Sequence, residues 1–407
     1  MVGLVCWLPF LMYIYHATTG IPMNDDYDLF FNSLIRIDET EGVWNKLSVL
    51  FSQHMEHRPA FPRALAYLVW KLTGSCHLKI LILLGNGMLM VSWVFLALAS
   101  EKLRPLQSVA FNLTSFFILC GLQSKENLFW ATGALQNYSL IAFALAAIYF
   151  CVKTRYLSAA IASLLAVGCA MTGFLIIPVL IIITIQQKKF VWALGYFILL
   201  VSLGFVYQRN FIFYDVSTLP GSTVHQGFAA KYQYFSAFLG SAATLRVIPL
   251  NRAMVIGTVM FIAAIILHRN IRRWNFWTYL VIFVVLCALA GVSHRSVLGP
   301  YQALSERYKI FSEILFISFI AGIWSRMRNH KKWLIPLCLM LSMGMFIAQF
   351  TYYHPQIIRK KRELQHGLAV FMLTQSPEKL SYPVPQRAAS ALVRAFELKI
   401  FRLHPSD

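Results

Sequence analysis

The chain has 407 residues, 58% of them hydrophobic and 13% charged, with a mean hydropathy of +0.62; a soluble domain carries about 25% charge, so that class is excluded and a polytopic membrane protein remains. The formal charge of +20 would suit a nucleic-acid binder if the basic residues formed one patch. They fall instead in short clusters between apolar runs, so the charge reads as membrane topology and contact with anionic membrane lipids, and no nucleic-acid partner is expected.

Residues 1–18 are apolar and just long enough to span, but they lack the basic start of a secretory signal, so an uncleaved first helix is expected. An aqueous loop follows at 19–63. It holds Asp25, Asp26, Asp28, Asp38, Glu39, Glu41 and Glu56, seven of the sixteen carboxylates in the chain. A carboxylate at the centre of a spanning helix costs roughly 2.5–3.5 kcal/mol, so seven of them cannot lie in hydrocarbon. Within the loop, Trp44, Leu47, Leu50 and Phe51 recur at helical spacing and predict an amphipathic helix over 43–53, lying on the membrane. Pro59 and Pro62 break any helix, and 64–72 is too short to cross alone, which makes it re-entrant or interfacial.

Further spans are expected at 77–99, 107–122, 128–151, 156–171, 173–186, 190–207, 253–268, 275–292, 309–324 and 333–352, eleven in all with the first. Alternate connections are then basic: Lys102/Arg104, Lys153/Arg155, Lys188/Lys189, Arg269/Arg272/Arg273 and Arg326/Arg328/Lys331/Lys332 fall on one side, with Glu101 the only acid among them. The other side carries the acidic loop, Glu126, Asp215 and Glu306. By the positive-inside rule the N-terminus is inside and the acidic loop outside. The split near Met171-Thr172-Gly173 is needed, because one fused helix over 156–187 would move three basic loops outside. One feature resists: the tail from Tyr353, with Arg359, Lys360, Lys361 and Arg362, is basic and yet outside. The expected organisation is a single all-α transmembrane domain over 1–352, with a second outer loop at 208–252, and a basic interfacial tail over 353–407. Six of the seven cysteines lie in apolar runs and no CxxC occurs, so they read as small buried hydrophobes.

The outer face carries the candidate chemistry. If 25–35 is helical, Asp25 and Asp28 share a face, and crowded carboxylates raise one another's pKa unless a cation such as Arg36, Arg58 or Arg63 intervenes. Such a site can hold one ionised carboxylate as a general base, a role worth roughly 10²- to 10⁴-fold in rate; the alternative is a solvated acidic loop. His54 and His57 are spaced i, i+3 with Glu56 off their face, so HMEH is not the zinc-protease HExxH motif. Arg58 and Arg63 are candidates for pairing with phosphate, and Glu56 or His57 for hydrogen-bonding a sugar hydroxyl. Lys125-Glu126-Asn127 opens another span and is followed by Gln136 and Asn137, which either meet a hydroxyl-rich ligand or link helices. Arg209, His225, Lys231 and Arg246 are further possible phosphate contacts; Arg295 and Ser305-Glu306-Arg307-Tyr308 lie where an outer loop re-enters the membrane, and Arg307 heads a span in a manner suited to a lipid-linked phosphate or to snorkelling.

A first span, an outer loop opening with Asp25-Asp26, surface helices and then many spans resemble the GT-C class of integral-membrane glycosyltransferases. The stretches QHMEHRPAFPRAL and KENLFWATGALQNYSL are also similar to bacterial multispanning proteins placed near that class and near surface-polysaccharide assembly. The resemblance covers roughly the first 140 residues, and the rest as architecture. It implies a sugar moved from a polyprenyl-phosphate or polyprenyl-diphosphate carrier to a glycan or lipid acceptor, with the site facing the periplasm or exterior of a bacterial inner (cell) membrane. By position Asp25 or Asp26 matches the class's base, and Arg58, Arg63 or Arg307 would hold the departing phosphate. Some members use a divalent metal (Mg or Mn) and others none; Asp25, Asp26 and Glu56 are candidate ligands, though no spacing demands one.

Other readings stay in play, among them a structural or assembly subunit with no activity, which predicts no concave site joining the acidic loop to Arg58 and Arg307. An O-antigen-type oligosaccharide polymerase would lean on arginines of the outer loops. A transporter or flippase of lipid-linked or anionic solutes should carry ionisable residues at mid-membrane, where this chain has little beyond Glu313.

Overall fold

The computed structural model describes residues 2–101, 103–212, 227–243, 250–270, 274–325 and 333–403. The regular structure among them is helical, apart from one backbone bridge between His54 and His57. Helix α1 (Val2–Ala17) leads into the acidic loop, which contains a π-helical turn (Tyr27–Asn32), α2 (Ser33–Glu39), α3 (Val43–Leu50) and α4 (Ala60–Thr73). Then come α5 (Leu78–Ala99), α6 (Pro105–Leu119), the short α7 (Lys125–Phe129) and α8 (Ala131–Gly133), and, through a second π-helical turn (Ala134–Tyr138), α9 (Ser139–Val152). The remainder is α10 (Tyr156–Val167), α11 (Ile176–Gln186), α12 (Phe190–Gln208), α13 (Phe228–Gly240), α14 (Leu250–His268), α15 (Phe276–Arg295), α16 (Lys309–Trp324), α17 (Leu334–Thr374) and α18 (Pro385–Glu397).

Seven helical segments among the described residues are long and apolar enough to cross a membrane. The other four expected spans are the shorter α1, α10, the Met171–Gln186 segment and α16. A 16-residue helix such as α16 reaches about 24 Å, short of a hydrocarbon core of about 30 Å, so its ends lie among neighbouring helices. The chain is an integral membrane protein with an aromatic core, in which Trp7 meets Phe10, Trp93 and Phe116 edge-on.

The chain does turn back within 156–187. A Cβ on Gly173 would sit 2.2 Å from the Ala166 carbonyl oxygen, so the absence of a side chain lets the start of the Met171–Gln186 segment lie against the end of α10. Hydrogen bonds then sort the connections to two ends. At one end Lys153 pairs with Glu101, and Gln187 donates to the Cys151 and Val152 carbonyls. At the other the acidic loop touches the ends of α10 (Phe61 N to Gly168 O, 2.9 Å), α12 (Arg58 N to Tyr207 Oη, 2.9 Å) and α15 (Arg295 to Glu56). Of the charged loop residues named above, Lys102, Asp215, His225, Arg246, Arg272, Arg273, Arg326, Arg328, Lys331 and Lys332 lie outside the described residues.

Later cations of the basic tail pair with the acidic loop. Helix α17 runs unbroken for 41 residues through position 353, a rod of about 60 Å whose later half lies beside the end of α1, where Lys361 donates to the His16 carbonyl. The chain then returns and lies on the acidic loop. Tyr382 Oη donates to Asp28, Arg387 pairs with Asp28 at 2.9 Å, and Arg394 pairs with Glu39 at 2.8 Å. Asn24 N donates to Ser381 O, Cys76 N donates to Ile400 O, and Phe401 packs on Phe31. Tail cations thus meet loop carboxylates. In the expected second loop, 227–243 is largely helical: α13 lies antiparallel on α14, its Ser236 carbonyl so close to Gly257 that a Cβ there would be 1.8 Å away.

Candidate functional site

The site grows from a two-residue turn. His54 N donates to His57 O (2.7 Å) and His57 N donates to His54 O (2.9 Å), closing a hairpin whose first central residue, Met55, takes φ +49°. A side chain seldom adopts that left-handed conformation, and such strain persists only where the surroundings hold it. Arg58 supplies much of the hold. Its guanidinium donates to the carbonyls of Tyr207 (3.0 Å), Phe51 (3.0 Å) and Arg209 (2.7 Å), and it lies over the Tyr207 ring. Arg63, buried, donates to the Leu50 and Ser52 carbonyls at the end of α3. Both arginines, expected from sequence to meet phosphate, spend these donors on backbone carbonyls.

The turn carries Glu56 into a cavity of about 380 Å³. Arg295 Nη2 lies between its two oxygens, at 2.7 and 2.5 Å, with His294 Nε2 at 3.3 Å and His57 Nε2 at 3.7 Å. Burial pushes the Glu56 carboxyl up, but His294, Arg295 and His57 together hold it down at about 2, so it is ionised. Burial lowers the His57 imidazole to about 4, against the pull of Glu56, so it is neutral near pH 7. Its Nδ1 accepts from Met171 N at 3.3 Å, which assigns the ring proton to Nε2, the nitrogen facing Glu56. No other donor of Arg295 is engaged among the described residues, which leaves the rest of its guanidinium for a ligand. Away from this charged end the wall is apolar and includes Phe174, Leu175, Phe211, Phe238, Cys287 and Phe311; Asn137, Tyr234 and Tyr308 interrupt it. Asn137 comes from the second π-helical turn, a geometry that re-aims side chains within a helix.

The acidic pair behaves differently. Asp26 is buried, with Oδ1 accepting from Thr132 N (3.0 Å) and Thr132 Oγ1 (2.7 Å) and Oδ2 accepting from Met23 N (3.2 Å). It fastens the loop to α8. Burial raises its carboxyl to about 7, with Asp25 adding to the rise and the three hydrogen bonds opposing it. Asp25 is half-buried, and its field falls on His54 together with those of Asp28 and Arg63. Asp28 belongs to the tail contact, with Asn32 as a further donor at 2.7 Å.

A third group borders the cavity. Arg307 lies over Trp130 and 3.8 Å from Glu126, and its buried Nε has no hydrogen-bond partner among the described residues. Asn127 donates to Arg307 O (3.1 Å) and accepts from Asn137 (2.8 Å), while Gln136 is half-buried on the π-helical turn. The structure therefore brings Glu56, His57 and Tyr308 to one cavity, sets Arg307, Glu126 and Asn127 beside it, and puts Asp26, Asp28, Arg58 and Arg63 into contacts that hold the loop. Of the groups around Glu56, His294 gave no signal in the sequence; it lies 238 positions away.

A divalent metal at Asp25, Asp26 and Glu56 does not fit. Asp26 has both oxygens engaged by its own surroundings, Glu56 is held by Arg295, and no group of three His, Cys, Asp or Glu side chains among the described residues could hold a metal ion.

No protein-family model and no curated protein matches the chain. Among solved structures it is similar to the crystal structure of ArnT from Cupriavidus metallidurans bound to undecaprenyl phosphate, at 11% identity and a TM-score of 0.49, over 98% of this chain and 76% of that one.

Proposed function

We propose that this protein is a membrane glycosyltransferase of the GT-C kind, which moves a sugar from a polyprenyl-phosphate carrier to a hydroxyl acceptor. The observation that carries the reading is the cavity: an apolar aromatic wall, suited to an isoprenoid, ends at an ionised carboxylate, a guanidinium with free donors and a neutral imidazole. The carboxylate and the guanidinium are what a displacement at an anomeric carbon needs. A carrier phosphate entering the cavity takes the free donors of Arg295, which loosens its hold on Glu56. Glu56 then accepts the proton of the acceptor hydroxyl, the new C–O bond forms as the C–O bond to phosphate breaks, and the electron pair leaves with the phosphate, where Arg295 meets the growing charge. One displacement inverts the anomeric carbon.

We assign the base to Glu56 in preference to Asp26, whose oxygens are spent on Thr132 and Met23. Asp25 is the competing candidate. The test is transfer from a radiolabelled polyprenyl-phosphate sugar by purified Glu56→Gln and Asp25→Asn proteins, with the membrane yield of each checked. Glu56→Gln should lose transfer at unchanged yield; if Asp25→Asn alone loses it, the base is Asp25. If neither does, the base lies elsewhere; if the native protein itself shows no transfer, the enzymatic reading falls.

A further inference from the structure

The cavity at Glu56 carries one further polar group whose orientation the fold decides. Asn137 lies on the second π-helical turn, half-buried, and lines the cavity. Its amide is the end of a relay that begins at a backbone carbonyl. Arg307 O can only accept, so Asn127, fully buried on α7, turns its Nδ2 to it at 3.1 Å. That leaves Asn127 Oδ1 to face Asn137, which answers with its own Nδ2 at 2.8 Å. The oxygen and nitrogen of a side-chain amide are otherwise hard to tell apart, and here the Arg307 carbonyl assigns both residues. Asn137 Oδ1 is what remains. It has no hydrogen-bond partner among the described residues and is not shut away inside the protein, so the cavity wall presents it as a free acceptor.

We propose that Asn137 determines which sugar is taken, by accepting a hydrogen bond from one of its hydroxyl groups at Oδ1. The inference rests on the reading that this cavity receives a polyprenyl-phosphate sugar. A hydroxyl suits the position better than an ammonium group, because Glu56 is the one carboxylate among the described lining residues and Arg295 already holds it. A sugar that lacks the hydroxyl leaves the Asn137 oxygen covered and unpaired, and a site built around such a bond discriminates strongly against the analogue without it. Asn127 does not line the cavity. It is a positioning residue, which fixes the atom that Asn137 presents.

The test is equilibrium binding by the full-length protein in detergent, read by tryptophan fluorescence with no acceptor present, so that transfer plays no part. The probes are citronellyl phosphate, its glucosyl, galactosyl and mannosyl derivatives, and the monodeoxy forms of whichever derivative binds tightest. Native protein should bind that derivative more tightly than citronellyl phosphate and bind one of its monodeoxy forms about tenfold more weakly. Asn137→Leu should bind parent and monodeoxy form alike, and Asn127→Leu, which frees the Asn137 amide to turn, should narrow the tenfold ratio; thermal melts check that both variants fold. Equal binding of every monodeoxy form by native protein, or a tenfold ratio kept by Asn137→Leu, overturns the proposal. If citronellyl phosphate binds and no sugar tightens it, the proposal falls and the carrier reading stands; if no probe binds, both fall. Discrimination through Asn137 without any transfer by the native protein would keep the proposal and remove the enzymatic reading.

Discussion

Arg295 places a single terminal nitrogen between both oxygens of Glu56, at 2.7 and 2.5 Å, joining two residues 239 positions apart. The pair is buried enough for the partners to depend on each other, with side-chain exposures of 19% and 8%.

Removing one partner should therefore hurt more than removing both. Arg295→Ala leaves an uncompensated buried carboxylate and should cost about 3–5 kcal/mol, whereas the Glu56→Gln/Arg295→Ala double variant should recover a large part of that. Thermal melts of the detergent-solubilised proteins give the coupling. Simple additivity would mean that the pair is solvated and the cavity wetter than described.

Asp26 should make stability depend on pH in an unusual direction. Its folded-state pKa is raised to about 7, mainly by burial, so the folded protein favours the protonated acid. That contribution is complete below the unfolded carboxylate range, near pH 4, and is lost as the pH rises through about 7. Asp26→Asn keeps an oxygen acceptor for Thr132 and removes the ionisation, so its melting temperature should fall less than that of the native protein between about pH 5 and about pH 8. Parallel curves would remove Asp26 as the source.

The contact between tail and loop should be held more by rings than by charges. Arg387 is 61% exposed on its side chain, and Arg387→Ala should cost no more than about 1 kcal/mol. Phe401, buried against Phe31 and Phe396, should cost about 3 kcal/mol or more as Phe401→Ala. Limited proteolysis within 377–403 should follow the same order.

Gly173→Val should fail at a different stage. Any Cβ at 173 meets the Ala166 carbonyl, so the start of the Met171–Gln186 segment cannot seat against α10. The expected outcome is loss of the monodisperse peak in size-exclusion chromatography; a normal elution profile would show that the two backbones can move apart.

Hydropathy located the spans well, because a run of about 20 apolar residues has few alternatives to crossing. The charge of the connections settled the split at Met171-Thr172-Gly173, since only two short helices keep Lys153, Arg155, Lys188 and Lys189 on one face. The site was less legible. A count of carboxylates drew attention to Asp25 and Asp26, but whether an acid faces a cavity depends on which distant backbone reaches it, and Thr132 reaches Asp26. Arg58 and Arg63 look like phosphate ligands in any linear reading, because a guanidinium that donates to carbonyls has no local signature. The importance of Glu56 rested on its place after an amphipathic segment and before a proline; that Arg295 would meet it had no trace in spacing. The tail stood out as a charge anomaly at residues 359–362, whereas the pairing of Arg387 and Arg394 with Asp28 and Glu39 had no trace in the sequence.

The return of the tail to the loop also sets an order of assembly. Backbone bonds from Asn24 to Ser381 and from Cys76 to Ile400 tie an early part of the polypeptide to one made much later. A nascent chain can thread its early helices into the bilayer while the ribosome is still working, but the loop after the first of them cannot settle until residues 381 to 400 have been made and have left the ribosome to reach it. Interrupted synthesis would leave an inserted protein with an unfinished face.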